Sequence, residues 1–223
     1  MYAHSVTSLE FRDRLGRRAR RAGVSLPTAA VEALEVYFRL LSKWNTKINL
    51  TALPLAQPTE ETFDRLLIEP LAAARNVKDG PTCWVDLGSG GGSPAIPLKI
   101  VKPSLKLTMV ESKVRKAAFL REAIRTIGLL DASVADTRFE EYADRPEMAG
   151  AASLITVRAV RADRGLFRAA ARLLGPKGRL LMFCPTAAAT RAPGFSHLET
   201  VPLTDAPAYL AICERVFHVE QKG

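Results

Sequence analysis

The segment Cys83-Trp-Val-Asp-Leu-Gly-Ser-Gly-Gly-Gly-Ser93 places a short apolar run, an acid and a glycine loop in immediate succession. An apolar run of this length reads as a buried strand. Glycine has no side chain and tolerates positive φ, so the turn after the strand lets a ligand come close to the backbone. Ala95 to Val101 reads as a short helix, and Pro94 suits its first turn. The loop therefore presents N–H groups at a helix start, a position that suits a nucleotide cofactor. A plain structural turn is the alternative for any glycine-rich loop.

The spacing Gly88-x-Gly90-x-x-Ser93 resembles a dinucleotide fingerprint but lacks its last glycine. Asp86, two residues before Gly88, would oppose a pyrophosphate and suit a cationic ligand. A second acid, Glu111, closes the run Leu107-Thr108-Met109-Val110 and lies 23 residues after Gly88. That is near the distance at which the second strand of such a fold places a carboxylate on ribose hydroxyls. Two acids flanking a glycine loop favour S-adenosylmethionine, with its ammonium and sulfonium, over a nicotinamide cofactor.

Further candidates follow two later strand-like runs. Phe139 and Glu140 could give an adenine its apolar face and polar edge; the competing reading is a core phenylalanine and a first-turn glutamate. Arg158 follows Leu154-Ile155-Thr156-Val157 and suits bidentate binding of a carboxylate or phosphate; a sheet-edge salt bridge is the alternative. No Ser-His-Asp, Cys-His or paired-carboxylate pattern is evident. Methyl transfer to a ring nitrogen with a free lone pair needs none, because alignment of donor and acceptor supplies much of the acceleration.

The elements that must position these residues fall into two regimes. Residues 1–80 read as a basic helical extension: Phe11, Leu15 and Ala19 recur on one early helix ended by Gly23, Thr28 to Trp44 forms a second, and Thr59 to Ala74 a third. The apolar face of the second is assigned to Val31, Leu34, Val36, Phe38, Leu40 and Leu41. Residues 81–223 alternate strands and helices. The strands are placed at Cys83–Leu87, Leu105–Val110, Ala132–Ala135, Ser153–Val157, Arg179–Phe183, His197–Leu203 and Tyr209–Phe217. The helices are placed at Ala95–Val101, Lys113–Ile127 and Gly165–Leu174, and Thr186–Thr190 reads as a loop. Alternation of this kind gives a parallel sheet. The last two runs are joined by only Thr204 to Pro207, so they pair as an antiparallel hairpin. This is the class I methyltransferase plan: an α/β, Rossmann-like, mostly parallel seven-stranded sheet with a C-terminal hairpin.

Composition narrows the partners. Hydrophobic residues make up 48% of the 223, enough for a substantial core. No apolar run reaches membrane-spanning length and the amino terminus has no signal core, so a cytoplasmic protein is expected. Cys83, Cys184 and Cys213, and His4, His197 and His218, are too scattered for a metal set or a redox pair, and buried free thiols are expected. The net charge of +9 points to an anionic partner. Arg12, Arg14, Arg17, Arg18, Arg20 and Arg21 crowd one segment beside a single acid, Asp13. They read either as a solvated helix face or as mutually repelling charges that need an anion, for which nucleic acid is the natural candidate.

Together these motifs resemble the bacterial small-subunit ribosomal RNA guanine-N7 methyltransferases, also called glucose-inhibited division protein B. The carriers are D-L-G-S-G-G-G-S-P-A-I-P-L (Asp86–Leu98) and K-W-N-T-K-I-N-L-T (Lys43–Thr51), with M-V-E-S, A-F-L-R, R-F-E-E and V-R-A following in order. The resemblance implies S-adenosylmethionine as cofactor and N7 of a guanine in 16S ribosomal RNA as acceptor. Free RNA or the small ribosomal subunit is the expected partner, and a monomer without a metal is expected. The family's cofactor contacts fall on Gly88, Ser93, Phe139 and Glu140, beside the Asp86, Gly90 and Glu111 already singled out, with Arg158 as a further site residue. Two departures stand out. Where the family usually has R-H-x-x-D-S, this chain has Arg65-Leu66-Leu67-Ile68-Glu69-Pro70; where it usually has Lys-Gly, this chain has Cys184-Pro185. They keep open a non-catalytic or retargeted RNA-binding relative, and a nicotinamide-dependent oxidoreductase is a more distant alternative.

Overall fold

The computed structural model describes residues 6–80, 82–187 and 192–216. His4, His218, the expected strand end at Phe217 and the later part of the Thr186–Thr190 loop lie outside them. Three helical segments open the chain. Helix α1 (Ser8–Arg21) is capped by Thr7, whose side chain accepts from the Glu10 N–H, and it buries Phe11, Leu15 and Ala19 as expected. Helix α2 (Thr28–Asn45) buries Leu34, Tyr37, Phe38 and Leu41. Val36, assigned to that face from the sequence, is 38% exposed, and Tyr37 takes the inside position. Helical spacing favours this outcome, since 34, 37, 38 and 41 share one face and 36 does not.

The third segment runs as α3 (Glu60–Phe63), a π-helical turn (Asp64–Ile68) and α4 (Glu69–Ala73). Pro70 accounts for the irregularity. It has no N–H, so neither Leu66 in an α register nor Arg65 in a π register receives a helical hydrogen bond from position 70. Phe11, Phe38 and Phe63 meet with ring centroids 5.2 to 5.9 Å apart and tie the three segments together.

The α/β part comprises β1 (Cys83–Leu87), α5 (Ala95–Val101), β2 (Lys106–Val110), α6 (Val114–Ile127), β3 (Ala132–Ala135), α7 (Phe139–Asp144), β4 (Ala152–Arg158), α8 (Arg164–Leu173), β5 (Leu174–Cys184), β6 (Phe195–Pro202) and β7 (Tyr209–Arg215). The sheet order is β3-β2-β1-β4-β5-β7-β6. The first five strands are parallel, and β7 pairs antiparallel with β5 and β6. Strand β5 begins at Leu174, earlier than expected, because Leu174 pairs with Ala152 before a register shift restores pairing at Arg179. Lys177, at φ 57°, and Gly178 hide this extension from a reading based on apolar runs.

Alternation along β1 sends Trp84 to one face and Val85 to the other. Trp84 joins an apolar cluster that includes Phe11, Phe38 and Phe119, so the amino-terminal helices and one face of the sheet share a core. Val85 joins a cluster with Ile155 and Phe167 on the opposite face. Of the three cysteines only Cys213 is buried; Cys83 is exposed and Cys184 half-buried. The order of connections reverses between β1 and β4, where a crevice opens beyond the carboxyl ends of the strands.

Asn45 ties the turn after α2 against that crevice. Its Oδ1 accepts from the N–H of Leu50 (2.9 Å) and Thr51 (3.0 Å), and its Nδ2 donates to the Thr51 carbonyl (3.1 Å). Asn45→Ala should therefore cost about 1–3 kcal/mol, the scale of leaving such backbone groups unpaired. Urea unfolding should show a lower midpoint with an unchanged slope.

Candidate functional site

The loop after β1 is built from left-handed glycines. Gly88, Gly90 and Gly92 have φ of 74°, 52° and 87°. A Cβ on Gly88 would lie 2.7 Å from Val160 Cγ2, and one on Gly92 would lie 2.5 Å from Ile96 Cδ1. The loop is also fixed from outside. Gly88 and Ser89 donate their N–H groups to the Val110 carbonyl at 2.9 and 3.1 Å. The Tyr37 hydroxyl donates to the Gly91 carbonyl at 2.7 Å. Gly91 packs under the K-W-N-T-K-I-N-L-T turn so closely that a Cβ there would sit 3.2 Å from the Leu50 carbonyl oxygen.

Glu111 braces this loop. Its Oε2 accepts from the Gly90 N–H at 2.9 Å and its Oε1 from the Lys113 N–H at 2.8 Å. Each carboxylate oxygen retains capacity for a second donor.

Asp86 lies beneath the loop and is only 1% exposed. Its Oδ1 accepts from the Thr156 hydroxyl at 2.5 Å, and Thr156 in turn accepts from Trp84 Nε1 at 2.8 Å. Asp86 Oδ2 is buried with no hydrogen-bond partner. Burial pushes the Asp86 pKa up to about 6, against the opposing pull of the Ser89 and Thr156 hydroxyls, while Glu111 adds to the rise.

Arg158 ends β4 and is pinned at several points. Its guanidinium pairs with the Glu69 carboxylate, donates to the Arg65 carbonyl, approaches Ser93 Oγ at 3.3 Å and sits over the Phe183 ring. Ser93 Oγ donates to the Leu66 carbonyl at 3.0 Å. The two carbonyls deprived of a donor by Pro70 are thus satisfied by Arg158 and Ser93. Burial pulls the Arg158 pKa down and pushes that of Glu69 up, and each charge opposes the other's shift.

Gly88, Gly90, Ser93, Glu111 and Arg158 line one cavity of about 480 Å³. Leu41, Leu50 and Thr51 of the amino-terminal segment, with Arg65 and Lys116, are also part of its wall. None of these five was singled out as a site residue from the sequence, although Leu50 and Thr51 belong to a motif that was. Asp86 underlies the cavity without lining it. Phe139 and Glu140 stand apart from it: they open α7, and Phe139 packs against the second apolar cluster. A second cavity of about 740 Å³ shares Arg65, Arg158 and Ala159 with the first and is walled by Asp64, Glu69, Phe183 and Cys184.

Five of the six crowded arginines of α1 have a carboxylate partner within the fold. Arg12 pairs with Glu35, Arg14 with Glu60, Arg17 with Asp13, Arg18 with Asp64 and Glu60, and Arg21 with Asp205. Most of the acids that settle them come from later segments, which a local count of charge does not register. Among the described residues no group of three or more His, Cys, Asp or Glu side chains is arranged to hold a metal, and no helix is long and apolar enough to cross a membrane.

A family model described as rRNA small subunit methyltransferase G (GidB) matches residues 30–191. A curated ribosomal RNA small subunit methyltransferase G from Stenotrophomonas maltophilia is 40% identical over 160 residues, covering 72% of this chain and 71% of the relative. Its counterpart from Geobacter sp. strain M21 is 34% identical over 180 residues, covering 81% and 80%. Among solved structures, a SAM-dependent methyltransferase from Aquifex aeolicus superposes with TM-score 0.55 at 11% identity, covering 70% of this chain and 93% of that one. The SpnF cyclase superposes with TM-score 0.59 at 13% identity, covering 86% and 97%. At such identities the two structures speak for the fold alone, the Rossmann-like class I methyltransferase fold.

The Asp86 carboxyl carries a pH signature. Its folded pKa of about 6 exceeds its ordinary 3.8, so the folded chain holds the proton more tightly than the unfolded chain. Its contribution to stability is complete below about pH 4 and is lost as pH rises through about 6, roughly 3 kcal/mol in all. Asp86→Asn should remove that loss, making unfolding free energies at about pH 4.5 and pH 7.5 differ by less than in the parent protein. Urea titrations at the two pH values measure it, and an identical difference in both proteins would show that Asp86 titrates normally.

Proposed function

The chain belongs to the family of rRNA small subunit methyltransferase G, and from that premise we propose that it transfers a methyl group from S-adenosylmethionine to N7 of a guanine in 16S ribosomal RNA. The observation that carries this reading is the buried, unpartnered Asp86 Oδ2 beneath a glycine loop braced by a second acid, Glu111. A buried carboxylate without a donor is costly unless it is protonated or meets a cation. The donor's ammonium is such a cation, the unused lone pairs of Glu111 suit a ribose diol, and a cavity of about 480 Å³ has the size of a small-molecule site. The residues present therefore fit this cofactor. When bound, it supplies a methyl group already activated by the sulfonium charge.

The chain's own residues have the task of orientation. We assign the backbone of Gly88 and Gly90, with Asp86, Ser93 and Glu111, to holding the donor. Phe139 and Glu140 are assigned to its adenine end, beyond the cavity that the side chains now enclose. The neighbouring cavity of about 740 Å³ would receive the acceptor base, which must leave its stack to reach a buried methyl group. A guanine N7 has a free lone pair, so no side chain has to remove a proton. Positive charge passes to the base during transfer, and a bare cation beside it would raise the barrier. Glu69 neutralises Arg158 at the wall between the two cavities and removes that obstacle. Residues 1–80 act in this reading as an extension that walls the donor cavity of the 81–223 methyltransferase domain, and the protein works in the cytoplasm beside its ribosomal substrate.

Incubation with radiolabelled S-adenosylmethionine and small ribosomal subunits lacking the modification should label 16S RNA at one guanine, located by mapping the modified nucleotide. Glu111→Ala should weaken donor binding by tenfold or more in equilibrium titration, the scale of losing a charge-assisted contact together with the loop brace. Donor binding without label transfer would instead favour a non-catalytic relative.

A further inference from the structure

We propose that the rim of the donor cavity, formed by Lys47, Lys113, Arg115, Lys116, Arg161 and Arg164, is the surface that grips the RNA phosphates, and that the arginine-rich helix α1 is not. The proposal rests on the reading of the chain as an RNA methyltransferase and deepens it by saying where the strand lies.

Pairing separates the two sets of cations. Arg12, Arg14 and Arg18 are committed to Glu35, Glu60 and Asp64, and these pairs brace the helices of the extension against one another. Arg17 and Arg21 also face carboxylates, which leaves Arg20 as the member of the group without one. The six rim residues have no ion pair among the described residues, and all but the half-buried Lys116 are exposed. The acids nearest to them in the chain are already engaged. Glu111 accepts from the Gly90 and Lys113 N–H groups, and Asp163 caps α8 by accepting from the Leu166 N–H.

Topology brings the six together. Lys113, Arg115 and Lys116 follow the carboxyl end of β2, and Arg161 and Arg164 follow that of β4. These strands flank β1, so their ends lie about 10 Å apart across one strand. Lys47 sits in the turn whose Leu50 packs on Gly91 of the loop after β1, and the neighbouring Trp44 ring meets Phe119 of α6 at 5.8 Å. Lys116, Leu50 and Ala159 line the same cavity, and the other five cations lie within a few residues of these three in the chain. Unpaired cations beside the donor cavity, which shares Arg65, Arg158 and Ala159 with the cavity assigned to the acceptor base, supply the counterion-releasing contacts that nucleic-acid binding needs. Arginines already neutralised within the fold release no counterions on binding.

The test compares two triple variants binding deproteinised small-subunit rRNA over a range of salt. The first, Lys47→Gln/Arg115→Gln/Arg161→Gln, leaves Lys116 in place because it lines the donor cavity. The second, Arg17→Gln/Arg20→Gln/Arg21→Gln, removes three exposed arginines of α1 and keeps Arg12, which pairs with Glu35. Each lost phosphate contact makes the slope of log K against log salt shallower by about 0.7–0.9, so the rim variant should lose about 2–3 and the α1 variant should keep the parent slope. Titration with S-adenosylmethionine checks that both variants keep the donor site. A rim variant with the parent slope, or an α1 variant that loses as much as the rim variant, overturns the proposal. Label transfer by the parent protein to small subunits is scored separately, so failure of the methyltransferase reading would appear there and not in the slopes.

Discussion

The backbone between Gly88 and Ser93 is held from three directions, and the rest of the molecule is arranged around that constraint. Glu111 grips the Gly90 N–H from the end of β2, Tyr37 grips the Gly91 carbonyl from the amino-terminal helices, and Ser93 is tied to the π-helical turn through the Leu66 carbonyl. A chain with left-handed φ at three glycines has little conformational preference of its own, since glycine loses the most freedom on ordering. Its shape is therefore imposed by these external bonds. Loosening the amino-terminal helices would loosen the loop, which makes the extension a structural part of the site.

Two buried charge problems are solved in different ways around that loop. Arg158 has a full counter-charge in Glu69 and hydrogen bonds for its remaining edge. Removing one partner of such a pair is costly because the other charge stays buried. Asp86 has only a hydroxyl partner on one oxygen and nothing on the other, and its pKa rises accordingly. The first arrangement is complete in the folded chain. The second is satisfied only by a proton or by a cation from outside.

The departures at Glu69-Pro70 have a structural account that the sequence did not disclose. Pro70 strips two carbonyls of their helical donors, and Arg158 and Ser93 occupy them, while Glu69 supplies the anion for Arg158. The position thus links the helical extension to the ends of β1 and β4. Cys184, the other departure, lies on the wall of the adjoining cavity at the end of β5.

Local pattern alone determined the alternation of strands and helices, the terminal hairpin and the glycine loop with its two acids, because burial periodicity and backbone freedom are properties of neighbouring residues. It determined less where neighbours mislead: Val36 and Tyr37 exchanged places on α2, and β5 began earlier than its apolar run. What only the tertiary structure decided was pairing across long separations. Asp86 meets Thr156 70 residues away, Arg158 meets Glu69 89 residues away, and Arg18 meets Asp64 46 residues away. A charge count along the chain makes α1 the cationic face of the protein, whereas folding brings acids to five of its six arginines. Electrostatic interaction depends on distance in space, and that distance exists only once the chain has folded.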